Sequence, residues 1–535
     1  LLAVNVLSSL LLPSSVSLQV LCLLCDIETA VQQSSCVGKK KLINMKLTVI
    51  CFLLLGDSKT FVHSLDSYRA AVYEHNVTFP ADRTKILPRD EALQVMKKNL
   101  VVYAQQAELA SDKEARIIVF PEYGLYGLGW TRQTIAPYLE YIPDPKSQTW
   151  NPCDKPAPFN STEVQHMLSC MAKDNSLYIV ANMGARQPCT ISDPKCPVDH
   201  QYQYSANVVY GPNGDFLARY FKFNLYSDEK QFDKPDQIDL TTFDTPFGRF
   251  GTFSSLDIMY HDPAITLIEK MNITNIAYPT AWIDELPLLS AIEFHSAFAE
   301  GMHINLLAAN LHLPCLGYHG SGLYWPTGTS IDGLYYYNDS LASNGSLVVG
   351  TFNPLIFPAS NDTRTKALDT LSVKSEGIRN KAVTVKINGD LFTAILSRDS
   401  YGKLHVCQGS LCCDAVFEGE FSSELYAFGA FDGIHTEGDR YYLQACVFIK
   451  CANNTPESCG SPTKVSSSYM SKMSFSGNFT TKYVFPEVLV TENGVLELVT
   501  RYWLYQNAVI IDVGLYGSPL SISIFSRDYS HDNWN

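Results

Sequence analysis

What most constrains the fold of this chain is a change of rhythm along it. From Asp90, the residues Leu93, Met96, Leu100, Tyr103 and Ala107 recur at steps of three or four, the spacing of one helix face. Pro88 and Asp90 supply the start signal for that helix. Arg116–Phe120 follows, a short apolar run of buried-strand type ended by Pro121. The unit repeats, with a helix-compatible stretch at Val164–Lys173 leading into a strand at Leu177–Asn182. Asn207–Tyr210 and Asp215–Tyr220 flank the turn sequence Gly211-Pro212-Asn213-Gly214, a hairpin signal. Phe250–Phe253, Ile273–Tyr278 and Ile304–Ala309 read as further strands, with a helix-length segment at Ser290–Gly301 before the last. Strands alternating with helices predict an α/β domain over residues 64–335.

The rhythm then stops. Sequons and Ser, Asn and Gly gather after residue 335, so residues 336–380 read as a linker or glycosylated loop. Beyond 380, strands follow one another without helices: Ala382–Ile387 turns at Asn388-Gly389 into Leu391–Leu396, and Tyr441–Lys450 and Ser521–Ser526 continue the pattern. Residues 381–535 are therefore expected to form a second, all-β domain. Two domains also suit 535 residues, which exceed one ordinary core. The second domain shows no gathering of Asp, Glu, His and Ser at turns, and it reads as structural or partner-facing.

Eleven cysteines lie between Cys153 and Cys459, alongside eight Asn-x-Ser/Thr sequons at Asn76, Asn160, Asn272, Asn338, Asn344, Asn361, Asn453 and Asn478. Together they point to an oxidising, secretory setting and a secreted glycoprotein. Met45-Lys46 and the apolar Leu47–Leu55 resemble a signal peptide over residues 45–63, with cleavage expected between Gly56 and Ser64. Residues 1–44 read as an upstream extension outside the fold rather than as a membrane anchor. The C-terminal Asp532-Asn533-Trp534-Asn535 shows no hydrophobic tail of the kind a lipid anchor needs. A net charge of −14 argues against nucleic acid or an anionic membrane as partner. None of the eleven cysteines from Cys153 to Cys459 falls in a C-x-x-C pair, so a zinc site is not expected, and no other metal or cofactor is called for.

Three strand ends could carry chemistry. Glu122 stands just beyond the apolar Val119-Phe120-Pro121, where groups face the mouth of an α/β sheet. Lys222 is embedded among aromatics in Arg219-Tyr220-Phe221-Lys222-Phe223. The glycine-spaced Phe247-Gly248-Arg249-Phe250-Gly251-Thr252-Phe253 runs into Ser254-Ser255-Leu256-Asp257. Each alone has a plain structural reading, as a loop acid, a snorkelling lysine and a capping serine.

In combination, order and spacing resemble the Glu-Lys-Cys triad of the nitrilase superfamily. His261-Asp262-Pro263-Ala264, Pro279-Thr280-Ala281-Trp282, Glu293-Phe294-His295-Ser296-Ala297 and Gly320-Ser321-Gly322 are similar to the vanin/biotinidase branch. So are Val406-Cys407, Leu411-Cys412-Cys413, Gly429-Ala430-Phe431-Asp432-Gly433 and Tyr483-Val484-Phe485-Pro486-Glu487 in the second domain. The resemblance runs from about Asp66 to Trp534. It implies an α/β nitrilase-type four-layer α-β-β-α sandwich followed by an all-β C-terminal domain. It also implies roles: Glu122 as general base, Lys222 as the cation on the tetrahedral oxyanion, Glu229 as an orienting acid, and the backbone N–H of Leu256 as second oxyanion donor. The reaction implied is hydrolysis of a small linear amide through an acyl-enzyme, pantetheine to pantothenate and cysteamine in the vanins. A biotinidase-like amidase is the neighbouring alternative.

The family's nucleophilic cysteine falls at Ser255 in this sequence. Neither Cys153 nor Cys315 stands at that elbow and can replace it. A thiol ionises near pH 8.5 and water near 15.7, so full deprotonation of a hydroxyl is harder by at most about 10 kcal/mol. A general base that moves the proton during attack reduces this. The expectation is a loss of several orders of magnitude in rate, with Ser255→Cys restoring activity and Ser255→Ala changing little. Two readings stay open, a slow amidohydrolase using Ser255 and a pseudoenzyme that binds amides or a protein partner.

Overall fold

The computed structural model describes residues 67–532, apart from 156–160, 327–330, 354–380, 421, 500–502, 507–508 and 513–516. The expected signal segment 45–63, the extension 1–44 and the sequons Asn160 and Asn361 lie outside the described residues.

Two sheets face each other in the first domain. The first contains β1 (Tyr68–His75), β2 (Ile117–Val119), β3 (Glu140–Tyr141), β4 (Tyr178–Pro188), β5 (Gln201–Tyr210) and β6 (Phe216–Phe221). The second contains β7 (Thr242–Thr245), β8 (Gly248–Thr252), β9 (Asn275–Pro279), β10 (Asn305–Ala309), β11 (Ser321–Pro326) and β12 (Ile331–Tyr336), in the order β12-β11-β10-β9-β8-β7. Successive side chains of a strand point to opposite faces, and β1 shows the result. Ala70 and Val72 join the inter-sheet core with Phe250, Ala277, Leu307 and Leu323. Ala71 and Tyr73 turn outward, into the layer formed with helix α1 (Arg89–Asp112) and α3 (Glu163–Asn175). A short helix α2 (Arg132–Ile135) is opened by a Thr131–Thr134 capping box. On the far side, α4 (Thr266–Met271) and α5 (Ala291–Met302) cover the second sheet. The expected α-β-β-α order is present, and the stripe Leu93, Met96, Leu100, Tyr103 and Ala107 is buried along α1.

One expectation needs correction. Within the supposed linker 336–380, residues Gly345–Phe352 form a strand, β13, paired antiparallel with β1. Its side chains alternate too: Val348 and Phe352 meet the inter-sheet core, and Leu347 and Val349 meet the α1 layer. The sequons at Asn338 and Asn344 concealed this alternation; they lead into the strand rather than mark a linker.

The second domain is a β-sandwich. One sheet runs β14 (Val383–Ile387), β15 (Asp390–Ser397), β18 (Tyr426–His435), β19 (Tyr441–Lys450), β25 (Ser518–Arg527), β21 (Val484–Glu492), β22 (Val495–Leu498). The other runs β16 (Tyr401–Gln408), β17 (Leu411–Glu420), β20 (Tyr469–Gly477), β24 (Val509–Asp512), β23 (Trp503–Gln506). The Cys413–Cys446 disulfide ties β17 to β19 and so joins the two sheets.

The two domains share a core. Every residue from Ala291 to Ala299 on α5 is buried, because the helix is covered on both sides. Phe294 lies 5.5 Å from Phe525 and Phe298 lies 5.3 Å from Phe485, ring to ring, across the domain boundary. The fully buried Arg527 crosses the same boundary to donate to the Met259 carbonyl at 2.9 Å.

Candidate active site

Three strand ends deliver the three side chains. Glu122 follows β2, and its N–H donates to the Thr280 carbonyl just beyond β9, so it bridges the two sheets. Lys222 follows β6, with its N–H on the Ser205 carbonyl of β5. Ser255 opens the 3-10 helix Ser255–Met259 after β8. Its φ of +38°, and the +61° of Tyr123 beside Glu122, are left-handed values that non-glycine residues adopt at a cost. At Ser255 this turn raises the side chain toward the ends of β2 and β6.

Glu122, Lys222 and Ser255 are all fully buried, and one oxygen joins them. Glu122 Oε2 accepts from Ser255 Oγ at 2.5 Å and from Lys222 Nζ at 3.1 Å. Its other oxygen accepts from Ser205 Oγ at 2.7 Å. Lys222 also donates to Glu229 Oε1 at 2.8 Å, while the Tyr226 N–H holds the second Glu229 oxygen at 2.7 Å. Burial first, and the Glu122 charge second, push the Glu229 carboxyl well above the usual carboxylate range. Glu229 thus favours its neutral form. The Lys222 ammonium lies 4.9 Å from the centre of the Tyr226 ring, which adds a cation–π contact.

Ser255 Oγ receives as well as gives. The Ala281 N–H donates to it at 2.7 Å, and Thr280 Oγ1 lies 3.1 Å away. With that donor occupying a lone pair, the hydroxyl hydrogen is aimed at Glu122 Oε2. Leu256, expected as an oxyanion donor, occupies the second position of the 3-10 helix, where an N–H has no acceptor within the helix. Asp257 fixes the elbow: its carboxylate accepts from Ser254 N–H at 3.1 Å, Tyr220 Oη at 2.7 Å and Asn224 N–H at 2.9 Å. Burial pushes that carboxyl up to about 6 in spite of these donors.

The structure brings Glu122, Lys222, Glu229 and Ser255 into contact, with Leu256 next to Ser255 on the 3-10 helix; the residues that hold them were not singled out in the sequence. Asn182, Asn207 and Asn310 are fully buried. Asn182 Nδ2 donates to Ser205 Oγ at 3.0 Å and Asn207 Oδ1 accepts from Ser254 Oγ at 2.9 Å. Asn310 grips the Trp282 backbone from both sides, accepting its N–H at 2.9 Å and donating to its carbonyl at 3.0 Å. It thereby fixes the neighbouring Ala281 N–H. No local signal marks them: all three follow alanine, but so does the exposed Asn453.

Two cavities border the buried triad. One of about 380 Å³ touches Leu256, Met259, Tyr226 and Trp282. One of about 130 Å³ touches Glu229, Ala281, Tyr123 and Tyr318. Tyr226, Asp228 and Ile283 line both. The larger cavity also draws on the second domain. Its outer wall is the β18–β19 connection, with His435, Glu437, Gly438 and Asp439, together with Tyr441. This short loop was overlooked because its acids do not cluster with any catalytic motif in sequence. They reach the site only through the shared core beneath them.

The cysteines settle into five disulfides among the described residues: Cys153–Cys170, Cys189–Cys196, Cys407–Cys412, Cys413–Cys446 and Cys451–Cys459. Cys315 is free and exposed. His405, Cys407 and Cys412 place their ligand atoms within 4.8 Å of one another, but both sulfurs are joined to each other and are not available to a metal in this state. Among the sequons, Asn76, Asn272, Asn344, Asn453 and Asn478 are exposed and Asn338 is half-buried.

Comparison with known proteins agrees with this geometry. Residues 82–291 match the carbon-nitrogen hydrolase family and residues 381–532 match the vanin C-terminal domain. A pantetheinase of Mus musculus is 40% identical over 474 residues, 88% of this chain and 90% of that one. A pantetheinase of Homo sapiens is 39% identical over 473 residues, 87% and 90% of the two chains. A biotinidase of Rattus norvegicus is 39% identical over 495 residues, 87% and 93%.

Proposed function

Because the chain belongs to the vanin/biotinidase family of carbon-nitrogen hydrolases, we propose that it hydrolyses pantetheine-type linear amides through an acyl-enzyme formed on Ser255. The observation that carries this reading is the hydrogen bond of Ser255 Oγ to Glu122 Oε2 at 2.5 Å. It is the contact a nucleophile needs with its base.

In this mechanism Glu122 removes the hydroxyl proton as Oγ attacks the amide carbonyl. The Ala281 N–H, already on Oγ at 2.7 Å, stabilises the alkoxide character that develops there. Lys222 and the Leu256 N–H take the oxyanion. Glu122 returns its proton to the departing amine, then activates the water that cleaves the ester. A carboxylate is a weaker match to a hydroxyl than to a thiol, so turnover is slow by the standard of the thiol-bearing relatives.

The experiment is amide hydrolysis by the wild-type chain beside two variants. Ser255→Cys should raise the rate by orders of magnitude, since Lys222 nearby favours a thiolate. Ser255→Ala should abolish turnover of pantetheine. Turnover in Ser255→Ala equal to wild type would remove Ser255 as nucleophile, and a wild-type chain that binds amides with no turnover would overturn the hydrolase reading.

A further inference from the structure

On the far side of the second domain, the β16–β17 hairpin builds a second reactive arrangement. Its register sets Cys407 directly opposite Cys412 and His405 directly opposite Asp414. Residues two apart on a strand share a face, so these four side chains form a two-by-two patch. Val406 and Cys413, one residue out of step, turn into the sandwich core. The patch faces solvent, with the His405 and Asp414 side chains 63% and 60% exposed. Within it, His405 Nδ1 lies 2.8 Å from Asp414 Oδ1 and His405 Nε2 lies 3.3 Å from Cys407 Sγ. A carboxylate on Nδ1 fixes that nitrogen as N–H and turns Nε2, with its proton or lone pair, toward the sulfur.

The other charged groups nearby leave this pairing intact. Lys403 precedes His405 by two residues on the same face of β16. Across β17, the neighbouring strand β20 sets Ser476 opposite Asp414 and Lys472 opposite Glu418. Asn478 Oδ1 accepts the Cys412 N–H at 2.5 Å and anchors the attacked half of the disulfide.

We propose that Cys407–Cys412 is a thiol–disulfide exchange site, opened at Cys412 by a small external thiol while His405 serves the departing sulfur of Cys407. The thiol attacks as its thiolate, having released a proton to solvent. A bond forms between its sulfur and Cys412 Sγ as the Cys407–Cys412 bond breaks. The bonding pair leaves on Cys407 Sγ, which takes the proton from His405 Nε2, and the imidazole regains one from solvent. A second thiol releases the mixed disulfide, so two thiols are oxidised to one disulfide and Cys407 and Cys412 become thiols. His405 is the proton donor to a reacting atom; Asp414 is a positioning residue that acts through it.

The other disulfides lack this arrangement. Cys413–Cys446 and Cys451–Cys459 are buried. Cys170 lies 3.8 Å from His166 Nε2, but the His166 Nδ1 is met by the Pro152 carbonyl rather than by a carboxylate.

The test uses the full chain with Cys315 first blocked by alkylation. Glutathione is added, and differential alkylation with peptide mass mapping follows each cysteine in time. Cys407–Cys412 should open first, with the glutathione adduct on Cys412 and the free thiol on Cys407. His405→Asn and Asp414→Asn, both at exposed positions, should slow opening of this pair by at least about tenfold and flatten its pH profile. Neither should change the opening of Cys153–Cys170 or Cys189–Cys196. Opening of Cys407–Cys412 no faster than these two, adduct on Cys407, or His405→Asn with unchanged rate and pH profile would each overturn the proposal.

Discussion

The two walls of the larger cavity are built on different principles. The inner wall belongs to the first domain, with Leu256, Met259 and Trp282 at its surface; behind it Glu122, Lys222, Ser255 and Asp257 are fully buried, each held by at least two hydrogen bonds. The outer wall is the loop of the second domain, where Glu437 and Gly438 are exposed and Asp439 is half-buried. A buried polar atom stripped of its partner costs about 1–3 kcal/mol, so the inner wall tolerates little change. Exposed loop charges are worth a fraction of that. In the proposed amide hydrolysis the chemistry therefore sits behind the wall that tolerates little change, and selectivity falls to the wall that can vary.

The sharpest way to break the inner wall is to remove its base. Glu122→Gln keeps the volume and one of the two acceptor oxygens, enough for Ser255 and Lys222 on one side while its NH2 donates to Ser205 on the other, but it cannot take a proton. Amide turnover should fall by about 10²–10⁴, the usual contribution of a positioned acid–base group. Thermal unfolding should show that the fold survives, because Lys222 retains Glu229 at 2.8 Å. Turnover within a few-fold of wild type would mean that another group moves the proton.

How much of this contrast was legible in sequence differs between the walls. The inner wall was readable because its strand ends, Ile117–Val119 before Glu122 and Gly248–Thr252 before Ser255, resemble the Glu-Lys-Cys order of a known family; the apolar runs locate the strands, but each residue alone has a plain structural reading. The buried asparagines behind them carry no periodic signal, since one amide in an apolar strand reads as noise until its partners are known. The outer wall was not readable. Nothing local in His435 to Asp439 links it to Ser255, about 180 residues earlier; the link is the packing of α5 and the second sheet against β21 and β25. The strand Gly345–Phe352 was hidden for a related reason, because its partner β1 lies at the other end of the domain.

Arg527 tests whether the walls depend on each other. Its guanidinium donates to the carbonyls of Met259 and Tyr442 and to Asp532, and lies 4.7 Å and 4.8 Å from the centres of the Tyr441 and Tyr529 rings. Met259 ends the 3-10 helix that Ser255 begins, and Tyr441 ends the outer loop. Arg527→Met should cost about 3 kcal/mol of stability, measured by denaturant unfolding, because it orphans buried acceptors and leaves Asp532 without its cation. It should also lower kcat more than it raises KM, since the elbow moves while the cavity persists. A variant with wild-type kcat and reduced stability alone would show that the second domain supports the elbow only through folding.

The smallest effect belongs to the outer wall itself. Burial pushes the Asp439 carboxyl up to about 6, with Lys222 pulling it back down and Asp228 adding to the rise. A carboxyl with that value is neutral in mildly acidic solution and becomes charged as pH rises through about 6. The charged form lines the mouth beside Asp228, Glu285 and Glu437, and it favours amides whose departing portion carries a positive charge. For such a substrate KM should fall as pH rises through this range, whereas a neutral amide such as pantetheine should show no matching change. Asp439→Asn removes the titration while keeping the size of the side chain. At pH 7.5 it should raise KM for a cationic amide about two- to fivefold, the equivalent of less than about 1 kcal/mol for a half-exposed charge, and leave kcat and the KM for pantetheine alone. Equal changes for cationic and neutral amides would mean that Asp439 shapes the loop rather than the field at the mouth. The loop would then discriminate by form, and the acidic character of the outer wall would have no part in selecting the substrate.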